Sequence, residues 1–167
     1  STTVTSLSTD KSAVIIEWQS VENVDGYAIY RKSAAATDWT PVTVVKNNVN
    51  SYRDTGAASG AQYYYAVCPV KNESQGAKVA SSLVYFIKAP TNVVATNENQ
   101  GIRVSWDKIT GAASYLISKT DGQGNTAYLG NVNTNFYVDK DVVNGSKYTY
   151  TVIAMNSLGE SKVSDVS

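Results

Sequence analysis

Histidine is absent from these 167 residues, and cysteine occurs once, at Cys68. Without histidine the chain lacks the usual general base and the commonest metal ligand. Cys68 has no imidazole to activate it and no second thiol to pair with, so a Cys–His nucleophile and an intramolecular disulfide are both excluded. Charge is sparse: 17% of the residues, 14 basic against 14 acidic. Split at Lys88, neither half has an excess of more than one charge of either sign. No basic stripe is available for phosphate neutralisation, so nucleic acid is not an expected partner. Long apolar runs are missing as well. Nothing approaches the roughly 20 residues that span a bilayer, so no membrane insertion is expected. What fills the chain instead is Val, Tyr, Thr, Ser and Asn, the composition of strands and turns.

One pattern is written twice. Val14-Ile15-Ile16-Glu17-Trp18, Tyr27, Tyr52-Arg53-Asp54 and Tyr63-Tyr64-Tyr65-Ala66-Val67 form the first copy. Ile102-Arg103-Val104-Ser105-Trp106, Tyr115, Tyr137-Val138-Asp139 and Tyr148-Thr149-Tyr150-Thr151-Val152 form the second. The offset is 88 residues through the first tyrosine and 85 thereafter, so one short loop deletion restores register. A repeat of this length is a whole domain rather than a solenoid unit. Residues 1–88 and 89–167 are therefore expected to be two domains, joined by a short proline-stiffened linker at Lys88-Ala89-Pro90-Thr91.

Within each copy the apolar residues alternate. Val14, Ile16 and Trp18 share one face, with Ile15 and Glu17 on the other; Ile102, Val104 and Trp106 repeat this against Arg103 and Ser105. Turn clusters separate the runs: Asn23-Val24-Asp25-Gly26, Ser59-Gly60, Gly111-Ala112-Ala113, Asp121 through Asn125, and Asn144-Gly145. Short strands at this spacing, each with one buried face, predict an all-β chain of antiparallel sandwiches. The opening Ser1-Thr2-Thr3-Val4 reads as strand rather than as a secretory leader. The second copy's last strand reads as cut short, so the chain is expected to be an excised piece of something longer.

A tryptophan closing one strand, a tyrosine nine residues on, then Tyr-x-Asp and a Tyr-x-Tyr-x-Val run together resemble the fibronectin type III domain. The second copy carries the motif most fully, through Ala154, Asn156 and Gly159-Glu160-Ser161. The first departs from it at Pro69 and Lys71, which puts the end of that strand in question, since proline cannot donate to a ladder. The resemblance implies two tandem immunoglobulin-like sandwiches. It also implies a core built on Trp18, Tyr27 and Tyr63 in one copy and on Trp106, Tyr115 and Tyr148 in the other. Tyr63 and Tyr148 resemble the family's corner tyrosine, whose hydroxyl bonds to backbone a few residues upstream. Asp54 and Asp139 are expected to hold backbone N–H groups in the same turn.

Candidate chemistry is thin. Asp139 with Asp141, and Glu22 with Asp25, are carboxylate pairs in turns, with no sign of a cleft to tune them. The Asp121-Gly122-Gln123-Gly124-Asn125 loop resembles a calcium loop only faintly and lacks its closing glutamate, so it reads as a hairpin turn. No catalytic residue, metal or cofactor is expected. Cys68 lies one position off the inward face and is expected to be partly exposed on the outer sheet.

The copies differ most on one outward face. Tyr30 and Tyr64, with Trp39 from the next strand, stand where the second copy has Ser118, Thr149 and Thr151. Planar exposed rings could stack on sugar or anchor a protein, or simply brace neighbouring strands. The copies look most like those in large secreted and surface proteins of Gram-positive bacteria, beside glycoside hydrolases, peptidases and binding modules. The absence of a Trp-Ser-x-Trp-Ser motif argues against a receptor of the cytokine type. The resemblance thus implies an extracellular or cell-surface monomer that spaces neighbouring domains of its parent chain. A second expectation is a binding module for cell-wall or dietary polysaccharide, or for a surface protein, through Tyr30, Tyr64 and Trp39.

Overall fold

The computed structural model describes residues 2–167, and among these it holds strands and turns with no helix. The chain divides into two compact units, Ser1–Phe86 and Ile87–Ser167.

In the first unit the strands are β1 (Val4–Thr9), β2 (Val14–Trp18), β3 (Gly26–Ser33) and β4 (Thr40–Lys46). They continue with β5 (Ser51–Asp54), β6 (Ala61–Lys71), β7 (Ser74–Gln75) and β8 (Val84–Phe86). One sheet runs β1-β2-β5 and the other β4-β3-β6-β7, with β8 also on β6. The second unit holds β9 (Val94–Glu98), β10 (Gly101–Ser105), β11 (Ser114–Asp121) and β12 (Thr126–Val132). It ends with β13 (Phe136–Asp139), β14 (Tyr148–Asn156) and β15 (Gly159–Glu160). Its sheets run β13-β10-β9 and β12-β11-β14-β15. Thr2 and Thr3 precede β1 rather than joining it, and Ser1 lies outside the described residues.

Period-two patterning builds both cores. Val14, Ile16 and Trp18 from one sheet meet Tyr27, Ile29, Tyr65 and Val67 from the other, all buried. Val104, Trp106, Tyr115, Ile117, Tyr150, Val152 and Ala154 are buried at the matching positions of the second unit. The duplication extends to irregularities. Register slips between Ile29 and Tyr30 in one unit and between Ile117 and Ser118 in the other. Trp18 sits 5.5 Å from Tyr27 and Trp106 5.3 Å from Tyr115, centroid to centroid. Each indole Nε1 is buried without a hydrogen-bond partner.

The last segment of the second unit pairs through serine. The N–H groups of Ser161, Ser164 and Ser167 donate to the carbonyls of Ala154, Val152 and Tyr150 at 2.8, 3.0 and 3.0 Å. In return the N–H groups of Ala154, Val152 and Tyr150 donate to the three serine hydroxyls at 3.0, 2.9 and 2.9 Å. Three residues on one strand thus oppose two on the other. Among the described residues the first unit has one such rung, between Ser81 and Tyr65.

Strand β6 runs past Pro69 to Lys71, which answers the question the proline raised about its end. Alternate residues of a strand bond to opposite neighbours. Val70 accepts from Asp25 on the β3 side, while Pro69 accepts from Gly76 on the other side, at 2.9 Å. The missing proline N–H therefore falls outside the β3–β6 ladder. At the matching rung the second unit pairs Ala154 N–H with the Ser161 hydroxyl. In the first, a residue without an N–H faces one without a hydroxyl. A Cβ at Gly76 would approach the Pro69 ring to 3.1 Å.

Candidate functional site

Two side-chain assemblies stand out, one buried in both units and one on the outer face of the first.

The buried assembly joins a cation, a carboxylate and two tyrosines from three strands. Alternation turns Arg31 of β3, Asp54 of β5, and Tyr63 and Tyr65 of β6 toward the interior. Arg31 Nη1 donates to both carboxylate oxygens of Asp54, at 2.9 and 2.6 Å, and the Tyr65 hydroxyl donates to Oδ2 at 2.7 Å. Gly56 N–H donates to Oδ1 at 3.0 Å, and the Arg31 guanidinium lies 5.7 Å from the Tyr63 ring centroid. The second unit repeats this with lysine. Lys119 Nζ lies 3.0 Å from Asp139 Oδ2 and 4.9 Å from the Tyr148 ring centroid. The Tyr150 hydroxyl donates to Asp139 at 2.7 Å, and Asp141 N–H donates at 3.1 Å. Burial, then the carboxylate that accepts its proton, pushes each of the phenols Tyr65 and Tyr150 well above its ordinary value of 10.0.

Every hydroxyl in this region ties down its own unit. Ala58 N–H donates to the Tyr63 hydroxyl at 3.0 Å, and Val143 N–H to that of Tyr148 at 3.1 Å. The Tyr27 and Tyr115 hydroxyls accept from Val21 and Ile109 N–H at 2.7 and 2.8 Å. Arg31 and Lys119 escaped the sequence reading because they lie on a strand remote in sequence from their carboxylates. Each stands four residues beyond its copy's aligned tyrosine, Tyr27 or Tyr115, so the repeat itself carried the signal.

Two of the other acidic candidates, Asp25 and Asp121, are likewise engaged. Asp25 accepts the Asn72 N–H and lies 3.5 Å from Lys71 Nζ; that N–H bond and the nearby ammonium lower its pKa. Asp121 accepts from the N–H groups of Gln123 and Asn125 and from the Asn125 amide, closing the β11–β12 hairpin turn. Among the described residues no group of three or more His, Cys, Asp or Glu side chains is placed to hold a metal ion.

On the outer face, register places Lys32 opposite Tyr64 and Tyr30 opposite Ala66. Trp39 stands immediately before β4. Lys32 Nζ lies between two rings, 4.9 Å from the Trp39 centroid and 5.7 Å from the Tyr64 centroid. Tyr30 lies apart from this pair. Its hydroxyl donates to Gln75 Oε1 at 2.6 Å, and Lys78 Nζ sits 4.2 Å above its ring centroid. To reach Gln75 on β7 the ring must cross β6. That crossing accounts for Cys68, which is fully buried rather than partly exposed as its outward register suggested. Cys68 Sγ donates to the Ala77 carbonyl at 3.6 Å, and burial pushes its thiol pKa up.

A family model described as fibronectin type III domain, SaeA third domain, matches residues 2–85. The chain is 36% identical over 80 residues to an amylopullulanase of Thermoanaerobacterium saccharolyticum, covering 46% of this chain and 6% of that protein. It is 27% identical over 121 residues to tenascin-N of Homo sapiens, covering 70% of this chain and 9% of that one. Thus it spans only a small part of these relatives' length. A two-domain fibronectin type III segment of chicken tenascin superposes with a TM-score of 0.57 at 15% identity, over 97% of this chain and 94% of that one. The chicken interferon gamma receptor alpha chain gives 0.60 at 14% identity, over 99% and 95%. At such identities the two structures speak to the fold alone.

Proposed function

This chain belongs to the fibronectin type III family, and on that premise we propose that it is a non-catalytic spacer and interaction module. It would serve a larger secreted or cell-surface bacterial protein by positioning neighbouring catalytic or binding domains. The observation that carries this reading is the engagement of the repeated polar side chains by their own unit. Asp54, Asp139, Tyr63, Tyr65, Tyr148 and Tyr150 all hold local partners. The short matching stretch within a much longer amylopullulanase supports a role as one part of a larger chain. Single-molecule energy transfer tests it, with dyes on cysteines introduced at Thr3 and Val166 and buried Cys68 left in place. A spacer gives one narrow distance distribution, which broadens when residues 88–91 become Gly-Ser. A broad distribution in the unaltered chain refutes the reading.

A second reading has its own support. Lys32, Trp39 and Tyr64 converge on one face of the first unit and have no counterpart in the second. That favours a binding face for carbohydrate or protein there, with Tyr30 beside it.

A further inference from the structure

The first unit pairs its cations with carboxylates nearly everywhere except on the face just described. Arg31 is held by Asp54, Arg53 by Asp10 at 2.6 Å and Lys71 by Asp25 at 3.5 Å. Lys32 and Lys78 instead rest over aromatic rings, with no carboxylate of the described residues within ion-pair distance. Alternation assigns the outward positions of this sheet to Gly26, Ala28, Tyr30 and Lys32 on β3, to Val44 and Lys46 on β4, and to Gln62, Tyr64, Ala66, Cys68 and Val70 on β6. None of these is Asp or Glu. A ring quadrupole attracts an ammonium group without neutralising it, so each lysine keeps its charge for a further partner. The strip from Lys32 to Gly26 extends about 20 Å along β3. At its far end a hollow of about 240 Å³ is lined by Asp25, Gly26, Val44, Val45, Lys46 and Val70, where the Asp25 carboxylate is already held by the Asn72 N–H and lies 3.5 Å from Lys71 Nζ.

We infer that the outer face of the β4-β3-β6 sheet docks a uronate-bearing polysaccharide, an inference that rests on the second reading above. A uronate offers two things this face can use: an apolar C–H surface that stacks on Trp39, Tyr64 or Tyr30, and a carboxylate for Lys32, Lys78 or Lys46. A neutral glycan would leave the ammonium groups unanswered. An acidic peptide such as polyglutamate would answer them but has no ring to stack, and the hollow on this face is open and flanked by Asp25 and Lys46 rather than an apolar seat for a protein anchor.

Affinity electrophoresis of the full chain tests this in gels containing polygalacturonate, pullulan or polyglutamate. Polygalacturonate is expected to retard the protein, with at least tenfold weaker binding for Lys32→Gln/Lys78→Gln and for Trp39→Ala, and weaker retardation as salt rises. The variants' melting curves report whether they remain folded. Ser118→Ala in the second unit should leave retardation unchanged. No retardation by polygalacturonate overturns the inference. So does retardation that the lysine variants do not alter, or retardation by pullulan or polyglutamate that equals it. Equal retention on pullulan or polyglutamate would leave the outer-face reading standing without the uronate. The dye-distance experiment on the spacer is independent of either result.

Discussion

Asp54→Asn is the sharpest perturbation of the buried assembly. It keeps the shape of the side chain but removes the charge that Arg31 and Tyr65 address at 2.6 and 2.7 Å. The carboxylate is 3% exposed and the guanidinium 23%. Breaking a fully buried ion pair by removing one partner costs about 3–5 kcal/mol, and the partial exposure of Arg31 puts this case near 3. A unit of this size is worth roughly 4–13 kcal/mol in all, so the loss takes a large fraction of it. Urea unfolding followed by heteronuclear NMR resolves the two units, whose resonances report separately. With a slope of about 1–1.5 kcal/mol per molar for so small a unit, the first unit's midpoint should fall by about 2–3 M. The second unit's midpoint should stay in place. Tyr65→Phe should cost less, about 1.5–2 kcal/mol, because Arg31 and Gly56 still hold the carboxylate. The two changes should couple, since they share one network. Replacing all three groups by apolar residues of similar volume should recover most of the loss. A midpoint for Asp54→Asn within a few tenths molar of the parent, with unchanged slope, would mean that the pair's desolvation cancels its attraction and would refute the reasoning.

The remaining expectations are smaller. The folded state holds the phenols of Tyr65 and Tyr150 in their neutral form, their pKa values raised above 10.0. Their contribution is complete below about pH 10 and lost as pH rises beyond it, so thermal midpoints should fall there, and less in Tyr65→Phe/Tyr150→Phe. At the acid end, the Arg53 hydrogen bond lowers Asp10 to about 2, so that pair's contribution holds above pH 3.8 and fades as pH falls toward 2. The pair is solvent-screened, and Asp10→Asn at neutral pH should cost under about 1 kcal/mol in denaturant titrations. A Cβ at Gly101 would run into the Asp139 backbone carbonyl at a φ of +151°, so Gly101→Ala should lower the second unit's midpoint but not the first's. Cys68 should react with an aromatic disulfide reagent only at the rate of local opening, and at once in denaturant.

Much of the sandwich was legible because burial alternates with period two, and that period is printed in the side chains. Trp18, Ile16 and Val14 announce their strand without help from any neighbour. The Arg31–Asp54–Tyr65 assembly was not legible locally, because its members meet only after β3, β5 and β6 pair. Pro69 left the end of its strand in question for a related reason. Whether a missing N–H matters depends on which neighbour it would have faced, and that is a property of the sheet. Cys68 was misread because outward register usually means solvent, but the Tyr30 ring lies over β6. The serine-fastened segment at residues 161–167 was not legible either, and this too has a physical cause. A strand that advances three residues per rung shows a period belonging to neither strand nor helix.

That three-for-two pairing has an evolutionary consequence. Where a strand is fastened at every second residue, nearly every position carries either a rung or a core contact. In the last segment of the second unit, Ser161 and Ser164 are buried at their rungs, while Lys162, Val163, Asp165 and Val166 are exposed between them. Those intervening positions can drift in sequence without unfastening the strand. In the first unit a rung itself has changed: the serine rung at Ser81 is kept, while Gly76 stands against Pro69 at another.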